Sequence, residues 1–354
     1  MPVIKEAKHL IVPVFIPHQG CPFKCIYCSQ DKITDQYVPA SASHIKNILD
    51  ISLESPRFSS AETKEVAFYG GTFTNLSPAK MKDMLGAVAP YLQKGLFNSI
   101  RVSTRPDSID GDRLDLMKSY GVNTVELGVQ SMDDNVLALS KRGHTSGDVV
   151  NAVDILRRYG FRVGIQLMPG LPGDSETVFK KTIDRVIGLK PDMTRLYPVI
   201  VIRGTELASM YNSGGYTPLT LDEAVKICGD SCLRLEDNNI PVIRIGLMSS
   251  PSLLSGREIL AGPWHSAFGF LVRSYIHHLR IDPFLPRFAG HAFIGIRAPS
   301  REIPLVRGHR NNGVRILEEK SGAKIVSIKP DDTIPPGRIE VDELKQGARS
   351  KAQG

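Results

Sequence analysis

The chain has 354 residues, 42% of them hydrophobic and 23% charged, with a formal net charge of +7, which supplies a sizeable core and sets aside disordered and fibrous classes. The apolar run that follows the polar first nine residues is broken by Pro13 and Pro17, and no later stretch is apolar for long enough to span a bilayer, so a cytoplasmic protein without leader or membrane span is expected. The charge is uneven: residues 250–354 carry 16 Lys or Arg against 10 Asp or Glu, whereas the first 249 carry 28 against 27, an asymmetry that fits either a polyanionic partner or an ordinary solvated face.

From residue 10 to about residue 247, short β-rich runs alternate with helical patterns. The runs predict strands at 10–16, 65–69, 99–104, 124–130, 162–168 and 193–202, with a further extended run near 241–247. Helices are predicted at 41–54, 78–93, 110–120, 133–140, 147–159, 175–188 and 220–238. Ser77-Pro78, Ser146 and Thr220 supply helix-start chemistry, and Gly160 ends the helix that precedes it. Such regular alternation implies parallel βαβ units with right-handed crossovers. Six units are too few for a closed eight-stranded barrel.

Directly after the first strand comes Gly20-Cys21-Pro22-Phe23-Lys24-Cys25-Ile26-Tyr27-Cys28, which gathers three of the chain's five cysteines with the spacing Cys-x3-Cys-x2-Cys. Three thiolates this close together on a loop can hold three corners of a 4Fe-4S cubane and leave one iron open. Zinc is the alternative, but it needs a fourth ligand, from His18 or from Cys228 and Cys232. A disulfide framework does not suit an odd, clustered set of cysteines in a reducing compartment. Cys228 and Cys232, four apart on a predicted helix, read as small buried hydrophobes.

The later strand ends carry further polar and glycine-rich segments. Gly70-Gly71-Thr72 follows the second strand, and paired glycines there admit close backbone approach. Ser103-Thr104-Arg105-Pro106-Asp107 closes the third. Glu126 and Gln130 share one face of the fourth at period two and are expected to point into the lumen. Lys141-Arg142-Gly143-His144 precedes a helix, and Arg142 offers a two-pronged donor for a carboxylate. The fifth strand contains Gln166 and runs into Met168-Pro169-Gly170-Leu171-Pro172.

With its cysteine spacing and the order of these segments, the chain resembles the radical S-adenosylmethionine (SAM) superfamily. The resemblance implies an α/β fold, a partial (β/α)6 radical SAM barrel with a small α+β C-terminal extension. It further implies a 4Fe-4S cluster on Cys21, Cys25 and Cys28, SAM as cosubstrate, and ferredoxin or flavodoxin as electron donor. Tyr27 would lie beside the cluster and adenine. Gly70, Gly71 and Thr72 would meet the SAM amino group, with Thr72 standing where relatives often have Glu. Arg142 would meet the SAM carboxylate, and Glu126, Gln130 and Gln166 would line the ribose and adenine pocket.

Thr104-Arg105-Pro106-Asp107, Glu126 to Ser131, Arg142-Gly143-His144-Thr145, Met168 to Pro172 and Leu196 to Thr205 narrow the resemblance to the radical SAM domain of the Elongator catalytic subunit, over roughly residues 10–245. That likeness points to RNA, transfer RNA in particular. The Elongator subunit has a wider gap between its first two cluster cysteines, and its acetyltransferase pyrophosphate loop has only the mismatched Arg310-Asn311-Asn312-Gly313-Val314-Arg315 as counterpart, so acetyl-CoA chemistry is not carried over.

The expected organisation is a barrel over residues 1–250, a connector or lid over 251–290 containing Trp264, a module over 291–344 and a disordered tail over 345–354. The module resembles a KH domain, whose Gly-x-x-Gly loop clamps single-stranded nucleotides. Here the loop reads Gly308-His309-Arg310-Asn311, with Asn as the non-glycine residue best suited to a left-handed backbone. Two other functions compete: an RNA-binding protein with a structural or sensory cluster, and a radical enzyme acting on a small molecule or porphyrin-like compound.

Overall fold

The apolar runs fold as β1 (His9–Phe15), β2 (Thr63–Tyr69), β3 (Ser99–Thr104), β4 (Val122–Gln130), β5 (Arg162–Leu167) and β6 (Met193–Leu196), followed by β7 (Val201–Ile202), β8 (Val242–Ile245) and β9 (Ile259–Ala261). A computed structural model describes residues 9–36, 40–288 and 292–344, and the tail expected over 345–354 lies outside them. One sheet has the order β1-β2-β3-β4-β5-β6-β8. Every neighbouring pair in it is parallel, with Val14 opposite Phe68 at one edge and Thr194 opposite Val242 at the other. β1 and β8 are not paired with each other, so the sheet is a partial (β/α) barrel of seven strands: the run near 241–247 adds one to the expected six.

The expected strand over 193–202 is interrupted. β6 stops at Leu196, and Val201–Ile202 pairs antiparallel with β9 instead. Pro198 sits in the gap and has no N–H to give to a ladder. The chain there bends across the strand end, where Tyr197 N donates to Leu167 O at 2.9 Å and Val199 N to Pro169 O at 3.0 Å.

Helices Ala42–Leu53, Pro78–Gln93, Gly111–Ser119, Asp134–Leu139, Ser146–Arg158, Glu176–Leu189 and Leu221–Asp237 form where the periodicity places them. Ser77 caps its helix with Pro78 in the first turn, and Thr220 forms a capping box with Glu223. The N-cap of helix Ser146–Arg158 is Thr145 rather than Ser146, and it forms a capping box with Asp148. Beyond that helix Gly160, at φ 68°, takes the left-handed turn. No helix among the described residues is long and apolar enough to cross a membrane.

The chain divides into two compact units, Met1–Ala224 with Arg234–Ser266, and Val225–Leu233 with Ala267–Gly354. In the first, Trp264 packs on a small core of Ile200, Ile202 and Leu253. The second holds a sheet of β10 (Ala292–Ala298) between β11 (Ala323–Pro330), parallel to it, and β12 (Glu340–Leu344), antiparallel. Its own core includes Ile281, Ile296, Val306, Leu317 and Ile339.

Removing the Thr145 hydroxyl leaves the Asp148 N–H in the first turn of helix Ser146–Arg158 without its acceptor. Thr145→Ala should therefore lower stability by about 1 kcal/mol in equilibrium denaturant unfolding, with no change in the slope of the transition.

Candidate active site

The loop that leaves β1 is tied to the turn that leaves β2. Ile16 N donates to Tyr69 O at 2.8 Å, and Thr72 N donates to Gln19 O at 2.7 Å. Gln30 accepts on one oxygen from His18 N at 2.6 Å and from Gly71 N at 2.9 Å. Asn75 Nδ2 reaches Gly20 O at 2.7 Å. Gly71 is at φ 61°, and a Cβ there would run into the carbonyl oxygens of Ile16 and Gln19. Gly20 faces the carbonyl of Thr72 in the same way. The glycines thus let two loop backbones approach each other closely, and this sets where the cysteines stand.

Cys25 and Tyr27 are buried among Ile26, Val136, Leu171, Val201 and Leu207, with Cys28 packed against the same cluster. Cys21 Sγ lies 3.4 Å from Thr72 Oγ1. All three thiols are free. Arg142 comes in from the turn after helix Asp134–Leu139, with Nη1 donating to Cys25 Sγ at 3.0 Å and Nη2 to Gly128 O at 2.5 Å. Gly128 makes room, since a Cβ there would lie 3.3 Å from Arg142 Nη2. Arg105 donates to the backbone oxygen of Arg142 and stacks over Phe23 of the cysteine loop, 5.0 Å from the ring centre. The Tyr27 hydroxyl and Arg142 Nε are buried with no hydrogen-bond partner among the described residues.

Burial disfavours thiolates in this pocket, and it is the donor set, three free cysteines on one loop, that suits an iron-sulfur cluster. Burial, and then repulsion from Cys25 and Cys21, push the Cys28 thiol up to about 12. Burial also raises Cys21; its hydrogen bond with Thr72 opposes the shift, and repulsion from Cys25 adds to it more weakly. Burial would lower the Arg142 pKa, but Tyr27, Cys25 and Cys28 more than offset it. A cationic metal core is what permits three clustered thiolates, because coordination drives the proton off. Soft sulfur donors are the set that iron-sulfur clusters take. Among the described residues no group of three or more His, Cys, Asp or Glu is placed to hold a single ion.

Deeper in the lumen the strands carry a charged layer. Glu126, 4% exposed, accepts from Arg101 Nη1 at 2.6 Å and from Arg195 Nη2 at 3.0 Å, while its other oxygen lies 2.9 Å from Arg195 Nε. Arg101 also pairs with Glu65. Arg195 reaches Tyr197 Oη at 3.0 Å and lies over the Tyr69 ring. Above this layer Gln166 Nε2 donates to Gln130 Oε1 at 3.3 Å. The β4–β5 register shifts between Gly128 and Gln130, and Gln130 sits at φ 70°, a left-handed backbone unusual for a residue with a side chain.

Of the site residues expected from sequence, the structure brings Arg142, Tyr27, Cys25 and Cys28 together, Thr72 to Cys21, and Gln130 to Gln166. Glu126, expected at the ribose and adenine pocket, has its carboxylate taken up by Arg101 and Arg195. Sequence reasoning missed those two arginines. The signal that singled out Glu126, a charge inside an otherwise apolar strand, applied equally to them. Gln30 had no such signal, since its partner Gly71 lies 41 residues away.

Residues 15–186 match the Radical SAM superfamily and residues 191–278 the Radical_SAM C-terminal domain. The chain belongs to the radical SAM superfamily, whose members bind a 4Fe-4S cluster and SAM. It is similar to a tRNA uridine(34) acetyltransferase of Methanocaldococcus infernus, 30% identical over 256 residues, which are 68% of this chain and 47% of that protein. A protein of the same name from Dehalococcoides mccartyi is 31% identical over 301 residues, 73% of this chain and 66% of that one. The solved structure of the archaeal Methanocaldococcus infernus Elp3, truncated at its N-terminus, shares the fold, with a TM-score of 0.59 and 24% identity over 77% of this chain and 63% of that one. The chain therefore spans between about half and just under two thirds of these relatives' lengths.

The occupied carboxylate of Glu126 has a direct consequence for mutagenesis. Glu126→Ala leaves Arg195 without a carboxylate in a buried lumen, while Arg101 keeps Glu65, and losing one partner of such a pair costs about 3–5 kcal/mol. Denaturant unfolding of this variant should show a loss of that size, whereas Gln166→Ala should stay within about 1 kcal/mol of wild type, the scale of one neutral hydrogen bond.

Proposed function

We propose that this chain is a radical SAM enzyme in which Cys21, Cys25 and Cys28 hold a 4Fe-4S cluster and whose substrate is RNA, transfer RNA in particular. The single observation that carries the reading is the junction of the cysteine loop with the Gly70-Gly71-Thr72 turn, closed over by the buried Arg142. When bound and reduced, the cluster supplies an electron to SAM, whose cleavage yields methionine and a 5′-deoxyadenosyl radical. Arg142 balances thiolate charge through its contact with Cys25, and its Nε is left for an acceptor such as the SAM carboxylate. The turn Gly70-Gly71-Thr72 offers backbone and hydroxyl groups to the SAM amino group. Gln130 and Gln166 offer amides, and Tyr27 a hydroxyl, to ribose and adenine. The electron comes from a donor of the ferredoxin or flavodoxin type.

Three features support RNA as substrate. The basic excess lies in residues 250–354. Relatives bear the name tRNA uridine(34) acetyltransferase. In the second unit, helices Ile303–Arg307 and Asn312–Ser321 flank Gly308-His309-Arg310-Asn311, with Arg310 at φ 52° and Asn311 at φ 60°. Gly308 packs against Gly313, where a side chain on either would meet backbone. A tight, basic, left-handed loop between two helices suits a phosphate backbone.

Anaerobic reconstitution with iron and sulfide, followed by dithionite and SAM, should release 5′-deoxyadenosine. A colourless protein holding one zinc would sink the cluster assignment. For the substrate, binding of bulk transfer RNA should weaken steeply as salt rises, because each phosphate contact releases counterions. Arg310→Glu should reduce that binding several-fold in filter-binding titrations while 5′-deoxyadenosine formation is unchanged. Equal RNA retention by wild type and variant at low salt would redirect the search to small-molecule substrates.

A further inference from the structure

Two of the three clustered cysteine sulfurs meet a hydrogen-bonding side chain from outside their own loop. Arg142 Nη1 lies 3.0 Å from Cys25 Sγ, and Thr72 Oγ1 lies 3.4 Å from Cys21 Sγ. Cys28 instead packs against buried apolar side chains. The two polar partners stand 117 and 51 residues away in the chain, so the sheet brings them to the loop.

Both are held in place and shielded from water. Arg142 is 6% exposed and Thr72 0%. Arg142 cannot swing aside without giving up Gly128 O, 2.5 Å from Nη2. Its backbone oxygen is gripped by Arg105, which pairs with Asp107 and stacks over Phe23. Thr72 is fixed through its backbone, whose N–H donates to Gln19 O at 2.7 Å. Its side chain makes no capping bond to the short helical turn Phe73–Asn75 that follows, and the hydroxyl is left for the sulfur.

A thiolate has no proton to give, so with Cys21 and Cys25 as ligands the hydroxyl and the guanidinium are the donors. An electron added to the cluster increases the negative charge on its sulfurs. Donors to those sulfurs and a positive charge beside them therefore stabilise the reduced form more than the oxidised one, and in a buried site water screens this preference little. We propose that Arg142 and Thr72 set the reduction potential of the cluster, holding it above the value that the cysteine loop alone would give. Arg142 acts by charge and hydrogen bond on Cys25, and Thr72 by its hydroxyl on Cys21. The inference rests on the cluster assignment made under the proposed function and adds a redox role to it. One electron passes from a donor of the ferredoxin or flavodoxin type, which is oxidised by that electron, and no proton moves. Arg142 Nε and the lone pairs of the Thr72 hydroxyl remain for SAM, so the two roles do not compete.

The test is an anaerobic redox titration of the reconstituted full chain without SAM, read by electron paramagnetic resonance of the reduced cluster, with iron and sulfide content and circular dichroism measured for each variant. Arg142→Gln should lower the midpoint by at least about 59 mV, a tenfold change in a one-electron equilibrium and the size of a charge-assisted hydrogen bond. Thr72→Val keeps the shape of the side chain and removes only the hydroxyl; it should lower the midpoint by a smaller amount, and Thr72→Ser should restore it. Lys141→Gln removes a charge one residue from Arg142, on a side chain 59% exposed, and should leave the midpoint where it is, because solvent and salt screen an exposed charge. Should Arg142→Gln fail to fold or to load, the Thr72 pair decides. A midpoint indifferent to Thr72→Val and Arg142→Gln, or one that moves as far in Lys141→Gln, would overturn this inference and leave the cluster assignment standing. A wild-type chain that takes up no cluster would overturn both.

Discussion

A guanidinium buried against thiols is the constraint around which the first unit is arranged. Arg142 is enclosed with Cys25, Cys28 and Tyr27, and a charge in such surroundings is tolerable only with compensating charge and hydrogen bonds. Its partners come from separate segments: a strand carbonyl at Gly128, a sulfur from the loop after β1, and Arg105 gripping its own backbone oxygen. Each contact limits where the cysteine loop can go. The loop is held from the other side by Gly71 and Gln30, so its position is set by packing on two fronts rather than by its own sequence.

The lumen shows how a parallel sheet accommodates polar groups in layers. Toward the start of the strands, Glu65, Arg101, Glu126 and Arg195 satisfy one another almost completely. Such a network adds little net stability but penalises any arrangement that separates its members, which favours one strand register. At the strand ends the accounting is different. The Tyr27 hydroxyl and Arg142 Nε have no hydrogen-bond partner among the described residues, and Gln130 holds an unusual backbone conformation. Open hydrogen-bonding capacity gathers at the carboxyl ends of the strands, where barrel chemistry takes place. The closed layer below acts as the floor on which the open one rests.

The second unit follows the same logic on a smaller scale. Its core of Ile281, Ile296, Val306 and Leu317 joins helix Phe268–Ile281 to β10 and the following helices. One face of that helix is spent on this packing, where His278 Nε2 lies 3.0 Å from the Val306 carbonyl and Ser274 donates to Leu305 O at 2.8 Å. The face bearing Arg273, His277 and Arg280 is left to line a cavity. The adjacent histidines His277 and His278 therefore differ, His278 Nε2 meeting a backbone carbonyl and His277 Nε2 meeting no partner among the described residues, because consecutive helical residues point about 100° apart.

Local chemistry in the chain was enough to determine the alternation of strands and helices, most helix starts, the cysteine triad and the glycine turn. Each of these is written in residues a few positions apart: a period of two or 3.6, a capping Ser or Thr, three sulfurs within eight residues. Tertiary structure alone decided the rest. It ended β6 at Leu196 and enlisted the run near 241–247 as a seventh strand, since pairing depends on which edge lies free. It gave Glu126 to Arg101 and Arg195, because neighbours across parallel strands come from register between segments tens of residues apart. It set Gln30 against Gly71, and Glu302 against His277, by the same rule. A side chain's direction is written locally, but the partner it meets is chosen by how distant segments stack.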